Sequence, residues 1–388
     1  MHRLNGVYIF NFIIHIAIHM HKKILLTTIL LCLNISSIYA NPVRGLWVVR
    51  YAITDKNEVD KIMATAKSLN ITDLYVQVRA LGQTYGLEES GSPFKLLVKR
   101  AKNEKIRIHA WLNVLYIWGS DSQPSDNSHL LYRSTKSLLR AASDQKIPQY
   151  SSLKRQGIEG FFIDPSSEAN LLDIKILISD LIQNYDVDGI HLDYFRYPSF
   201  EYSFSPDGRT HFFREHWFDP INMFEIPIDT NSANPLEKYN YLSHTYKDYL
   251  RQNLTDLLIE IKQYIKQFKH STELSIAVKP NREIARDYYF QDWGTWLTNN
   301  ICDHLVIMNY DTVMSNFINN LNTALINDNK SKVLIGISTY NQDYQAVFDR
   351  IEATKRIPNG GYVIFSYNYL AENPSYFKNL IQALINFK

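Results

Sequence analysis

From Gly45 onward, short β-branched apolar runs alternate with amphipathic stretches of helical period. The runs predict strands at GLWVVR (45–50), LYVQVR (74–79), RIHAWLNV (107–114), DGIHLDYF (188–195), ELSIAVKP (273–280), HLVIMNY (304–310), VLIGIST (333–339) and GYVIFSY (361–367). Between them lie helical patterns such as NEVDKIMATAKSLN, EANLLDIKILISDLIQNYD and LEKYNYLSHTYKDYLRQNLTDLLIEIKQYIKQF. Strand then helix, eight times over, predicts a (β/α)8 TIM barrel, a closed ring of parallel strands wrapped by helices. An open doubly wound sheet is the alternative, but no glycine-rich phosphate loop follows the first strand.

Alternation within the strands carries a second message. Leu74, Val76 and Val78 oppose Tyr75, Gln77 and Arg79; Ile108, Ala110 and Leu112 oppose His109, Trp111 and Asn113. Ile190 and Leu192 oppose His191 and Asp193, and Ile276 and Val278 oppose Ser275, Ala277 and Lys279. The apolar phase should face the helices, which leaves polar and aromatic groups in the barrel interior. A purely structural barrel would fill that interior with branched aliphatics, so the polar phase reads as the lining of a site. Two connections, 115–170 and 196–235, are too long for plain barrel loops. Both begin at the carboxyl ends of strands, where barrel active sites are built.

Composition changes the picture mainly at the N-terminus. The 388 residues are 45% hydrophobic and 21% charged, ordinary for a globular chain, with 26 Tyr. Residues 20–40, MHKKILLTTILLCLNISSIYA, have the basic, apolar and small-residue order of a secretory signal peptide, with cleavage expected after Ala40. Met20 reads as the start, with residues 1–19 an over-extension; an uncleaved anchor is the alternative. The expected organisation is a leader over 1–40 and a single barrel domain over 41–388, secreted or periplasmic, with no stable membrane insertion after removal. Without the leader, 38 Lys and Arg stand against 39 Asp and Glu, which attracts neither nucleic acid nor an anionic membrane. Cys302 would be the remaining cysteine, so an intramolecular disulfide is not expected.

The candidate chemistry concentrates in DVDGIHLDYFRYP (186–198). Asp193 is either a reacting carboxylate or an ion-pair partner of Arg79, Arg196 or Lys279. His191 is either an interior hydrogen-bonded histidine or a ligand, and Arg196 either packs on the tyrosines around it or meets substrate. Trp47 and Trp111 are either core or sugar-stacking platforms. His191-x-Asp193 with His109 would suit a divalent ion, but no HxH or HExxH accompanies it, and no metal or other cofactor is expected. There is no GxSxG elbow for a serine hydrolase.

RGLWVVR, LYVQVRALGQTYG and YDVDGIHLDYFRYP resemble the glycosyl hydrolase-like 10 family, exported bacterial barrels with the order RG-x-W, Q-x-R and DGIH-x-D-Y-x-RYP. The resemblance spans roughly residues 43 to 380. DYLRQNLTDLL, with Arg251 and Asn253, resembles the Arg-x-Asn that follows the fourth strand there. DGIHLDYF is also similar to the DG-x-D-x-D-x-E strand of family 18 chitinases, and VIMNYD (306–311) to their Met-x-Tyr-Asp, whose Tyr and Asp hold a sugar N-acetyl group. The chitinase acid falls on Phe195, which takes substrate-assisted chemistry away from that position.

These resemblances imply an exported glycoside hydrolase acting on a polysaccharide, an N-acetylated amino-sugar glycan of the cell wall being the leading choice. Such chemistry needs two carboxyl groups. Asp193 is the expected nucleophile or stabiliser, kept ionised by Arg79, Lys279 and Arg196. Asp311 is the first choice for the acid, followed by Asp164, Glu201 and Glu225. Phe212, Phe213, Trp217 and Phe218 would shield an acid and raise its pKa. Trp47, Trp111 and Tyr340 would stack on sugars, Gln77 and Asn113 would bind hydroxyls, and His191, Tyr194, Asn309 and Tyr310 complete the binding set. The alternatives are a non-catalytic glycan-binding barrel and a metal-assisted hydrolase on the same scaffold.

Overall fold

Each of the eight predicted strands forms: β1 (Arg44–Val48), β2 (Asp73–Ala80), β3 (Arg107–Asn113), β4 (Gly189–Asp193), β5 (Glu273–Val278), β6 (His304–Met308), β7 (Val333–Ser338) and β8 (Gly361–Phe365). All pair in parallel with their chain neighbours. β1 closes the ring, with Leu46 opposite Leu74 of β2 and opposite Ile364 of β8. The chain is thus a closed (β/α)8 barrel, and the open-sheet alternative falls. The computed structural model describes residues 42–88, 91–225, 233–325, 332–357 and 361–386; the expected leader over 1–40 lies outside the described residues. Among the described residues no helix is long and apolar enough to cross a membrane.

Several helices begin where a side chain satisfies their first orphaned N–H groups. Asp55 accepts from Asn57 and Glu58, Ser205 from Gly208 ahead of Pro206–His216, and Asn281 from Ile284. The long helix Ala233–Phe268 buries Tyr246, Leu250, Leu254, Leu257, Ile261 and Ile265, one apolar stripe at helical spacing.

The two phases of the strands separate as expected. Leu74, Val76, Ile108, Leu112, Ile190, Leu192 and Ile276 belong to the core between barrel and helices. Trp47, Tyr75, Trp111, Val306, Leu334 and Val363 form a second cluster inside the ring. Room for the Trp47 indole comes from Gly336, where a Cβ would stand 2.8 Å from its Cη2. One strand departs from strict alternation: a bulge in β2 sets Gln77 opposite Trp111 and Arg79 opposite Leu112, so Arg79 takes the phase that faces the helices.

The amino-terminal end of the barrel is closed by ions. Asp73, fully buried, accepts from His109 Nε2 (2.9 Å) and pairs with Arg107 (2.7 Å), which also reaches Glu273 (2.6 Å). At the carboxyl end, the two long connections carry elements of their own. Tyr116–Trp118 pairs antiparallel with Phe161–Phe162, and the helices Tyr150–Arg155 and Pro206–His216 also belong to these connections. The connections are stitched together by backbone bonds between Arg140 and Phe204, and by Ser205 Oγ donating to Asp164 Oδ2 (2.9 Å).

Candidate active site

A cleft of about 530 Å³ opens at the carboxyl end of the strands, and its lining includes Trp47, Gln77, Trp111, Asn113, Asp193, Tyr194, Arg196, Lys279 and Tyr310. Asp193 is the last residue of β4. Its Oδ2 accepts from Trp111 Nε1 (3.1 Å) and its Oδ1 from the backbone N–H of Tyr194 (2.6 Å). That second bond depends on Tyr194 adopting a left-handed backbone (φ 49°), a strained conformation for an aromatic residue. Burial pushes the Asp193 carboxyl above its usual range, outweighing the Tyr194 N–H, Arg196, Trp111 and Lys279, which pull it down.

The left-handed turn has a further consequence. It breaks the alternation of β4, so Phe195 turns into the helical layer, fully buried against Trp296 (5.7 Å). The position that carries the acid in family 18 chitinases therefore faces away from the cleft.

The second carboxylate in the cleft is Glu159, which the sequence reading did not single out. It accepts from Arg196 Nη2 (2.6 Å), and the buried Arg196 guanidinium lies over the rings of Tyr194 (5.1 Å) and Tyr289 (5.0 Å). Arg196 Nη1 is buried with no hydrogen-bond partner among the described residues. Lys279 Nζ stands over Tyr289 (4.9 Å), and burial pulls its ammonium pKa down. Arg50 adds a third cation, donating to Gln77 Oε1 (3.1 Å), while Gln77 Nε2 donates to Asn113 Oδ1 (3.3 Å). Phe365, Tyr116, Tyr51 and Met308 complete much of the wall.

The other expected residues sit as follows. His191 lies beneath the cleft: Trp47 Nε1 donates to its Nε2 (3.2 Å), so its Nδ1 carries the proton and donates to Ser275 Oγ (2.9 Å). Burial drives its pKa well down, and both ring nitrogens are engaged. Arg79 points out of the ring to Asn170 Oδ1 (3.0 Å), its pKa pulled down to about 10 by burial. Asn309 ties β6 to the following helix, donating to the Phe317 carbonyl (2.9 Å) and accepting from Asn320 (3.1 Å). Tyr340 stands half exposed, edge-on to Tyr310 (6.3 Å).

None of the carboxylates first considered for the acid lines the cleft. Asp311 Oδ1 accepts from Val313 N (2.8 Å), and its backbone carbonyl is held by Arg350. Asp164 is buried as the stitch between the two long connections, bonded to Ser166 and Ser205. Glu201 and Glu225 are exposed. Phe212 packs on Tyr246 and Tyr249 of the long helix, Phe218 packs on Phe212, and Phe213 and Trp217 are exposed. Arg251 pairs with Asp248 and Asp287, and Asn253 reaches Tyr197. Among the described residues no three His, Cys, Asp or Glu side chains converge as a metal-ligand set.

A closed parallel barrel with carboxylates, indoles and cations gathered at its carboxyl end defines a glycoside hydrolase-like barrel. The chain belongs to the glycosyl hydrolase-like 10 family, whose sequence model matches residues 42–350. Among solved structures it is similar to the catalytic domain of β-amylase from Paenibacillus polymyxa, at 12% identity over 85% of this chain and 94% of that one, with a TM-score of 0.53. It is also similar to α-L-fucosidase isoenzyme 2 from Paenibacillus thiaminolyticus, at 9% identity over 84% of this chain and 46% of that one, TM-score 0.51. A chitinase from Chromobacterium violaceum matches at 10% identity over 88% and 99%, TM-score 0.46. No curated protein sequence matches.

Proposed function

We propose that the protein is an exported glycoside hydrolase that cleaves a polysaccharide of N-acetylated amino sugars, wall glycan above all, using Asp193 and Glu159. The observation that carries this reading is that both carboxylates line one cleft, with Arg196 bonded to Glu159 and close enough to act electrostatically on Asp193. The roles differ from those expected of the sequence. Asp193, pushed toward its neutral form by burial, is suited to give a proton to the leaving glycosidic oxygen. Glu159, paired with a guanidinium, is the carboxylate that attacks the anomeric carbon or takes a proton from the attacking water. As the C–O bond breaks, the leaving alcohol keeps the Asp193 proton; water then supplies the new anomeric hydroxyl, and its other proton goes to Glu159 in direct displacement or back to Asp193 when the Glu159–sugar bond is hydrolysed.

Tyr310 supplies aromatic surface for a sugar ring, Trp47 and Trp111 are nearly buried and meet the cleft only at their edges, and Gln77 and Asn113 supply hydroxyl partners. Met308 and Tyr310 of the chitinase-like Met-x-Tyr-Asp line the cleft, and the tyrosine supports a ligand with an N-acetyl group. Arg50, Arg196 and Lys279 outnumber the two carboxylates, and a sugar bearing its own carboxylate, such as muramic acid, would balance them. Export rests on the leader pattern of residues 20–40. A glycan-binding barrel without catalysis is the second reading, favoured by Phe195 standing where the chitinase acid would be.

The roles are tested with two leaving groups. Asp193→Asn should lower kcat on an unactivated glycan by about 10²–10⁴-fold, and far less on a 4-nitrophenyl glycoside, whose leaving group needs no proton. Glu159→Gln should lower both. Wild-type protein that binds chitin oligomers or wall glycan yet releases no reducing ends from either would favour the binding reading.

A further inference from the structure

Beside the cleft lies a second pocket, of about 420 Å³, whose lining includes Trp118, Tyr132, Tyr150, Phe161, Gln123 and Gln149. The wall between the two is the antiparallel ribbon of Tyr116–Trp118 and Phe161–Phe162. On the cleft side, Tyr116 pairs with Phe162 and stacks on Tyr194 (4.7 Å). Strict alternation would put Trp118 on the same side as Tyr116. An irregularity between them instead sets Trp118 opposite Phe161, and both face the second pocket. The Trp118 indole is fixed in place: its Nε1 donates to the Ser122 carbonyl (2.7 Å) and its ring meets His129 edge-on (5.3 Å).

At the edge of the partition, consecutive residues line different hollows. Gly119 lines the cleft and Ser120 the second pocket. A Cβ on Gly119 would stand 1.7 Å from Tyr116 Oη, and one on Gly160 would stand 2.2 Å from the Trp118 carbonyl and 3.0 Å from the Gly119 Cα. The two backbones lie directly against each other with the Tyr116 hydroxyl packed over Gly119, and the two aromatic-lined hollows adjoin where Gly119 gives way to Ser120. The pocket's one charged lining residue among those described is Asp121, in contrast to the cations of the cleft. Aromatic faces interleaved with amides and hydroxyls suit a neutral sugar, whose ring faces are apolar and whose edges are polar.

We infer that this pocket is a distal subsite for the same glycan, entered from the cleft past Gly119 and Ser120, so that the protein grips an extended chain of N-acetylated sugars. The inference rests on the glycan reading above and deepens it. Trp118 acts as a stacking platform away from the bond that breaks, and Ile147, half exposed at the pocket edge, extends the apolar surface.

The test measures affinities of N-acetyl chitooligosaccharides of two to six units by calorimetry, with Asp193→Asn as background to prevent hydrolysis. Affinity should rise with chain length. Trp118→Ala should remove that gain, about tenfold for the longest oligomer, and leave the disaccharide unchanged. Ile147→Ser, on the surface and safe for folding, should reduce the gain in the same direction. Equal affinity at every length, no binding at any length, or a Trp118→Ala loss shared by the disaccharide would overturn the subsite. Length-dependent binding by a wild type that hydrolyses none of these oligomers would leave the subsite standing and defeat the catalytic reading alone.

Discussion

Trp111 Nε1 donates to Asp193 Oδ2 across 3.1 Å, so neighbouring strands β3 and β4 jointly set the state of the carboxyl in the cleft. The bond favours the ionised form against the burial that disfavours it. Trp111→Phe keeps most of the ring and removes the donor. The pH at which activity declines on the alkaline side should move upward, because Asp193 would hold its proton longer. A single such hydrogen bond is worth about 1 kcal/mol, so activity at the optimum should stay within roughly tenfold of wild type. A pH profile of kcat/KM checks both.

Burial of Asp193 costs stability when it ionises. Its folded pKa is raised, so its contribution to stability is present below the ordinary carboxylate range and is lost as pH rises through the raised value. Asp193→Asn should therefore melt higher than wild type at pH 7, by roughly 2 °C. The gap should close as the pH is lowered below the usual carboxylate range. Calorimetry at several pH values reads this out.

The ions at the opposite end of the barrel have the reverse sign. Burial alone would raise the Asp73 carboxyl, but His109 and Arg107 outweigh it and hold it below the usual range. Its stabilisation is present above the ordinary carboxylate pKa and is lost as pH falls through the lowered value. Asp73→Asn should cost about 3–5 kcal/mol at neutral pH by stranding its buried partners, and should flatten the acid side of the stability curve. Denaturant titrations from pH 7 downward measure it.

Much of the barrel was legible because its eight strands are short apolar runs spaced by helical patterns, and the periods of two and 3.6 differ plainly. The inward phase was legible for Tyr75, Gln77, Trp111, Asn113, His191 and Asp193, whose polar or aromatic character contrasts with neighbouring Val, Ile and Leu. It misled at Arg79, because an inserted residue in β2 shifts the phase without any mark in composition. Asn309 and Asp311 were singled out not by alternation but by their place at the end of β6, in VIMNYD with its likeness to the chitinase Met-x-Tyr-Asp, and neither lines the cleft. Glu159 lay one residue before the GFFIDPSSEAN stretch of a connection already singled out by its length. Nothing local shows that the chain returns it to Arg196, a contact made by tertiary folding.

Arg79 supplies a check on that account. Arg79→Met removes the bond to Asn170, leaving a buried amide short of a partner, and should cost about 1–3 kcal/mol of stability. The kcat/KM of the folded variant should stay at the wild-type value, because the guanidinium lies outside the cleft. A melt and a steady-state assay on the same preparation separate the two effects.

The most direct measurement compares Glu159→Gln with Asp311→Asn for release of reducing ends from the same unactivated glycan. Glu159→Gln should lose about 10²–10⁴-fold in kcat while Asp311→Asn remains near wild type. Full activity in Glu159→Gln, or a comparable collapse in Asp311→Asn, would contradict the assignment of Glu159 as the carboxylate that works with Asp193.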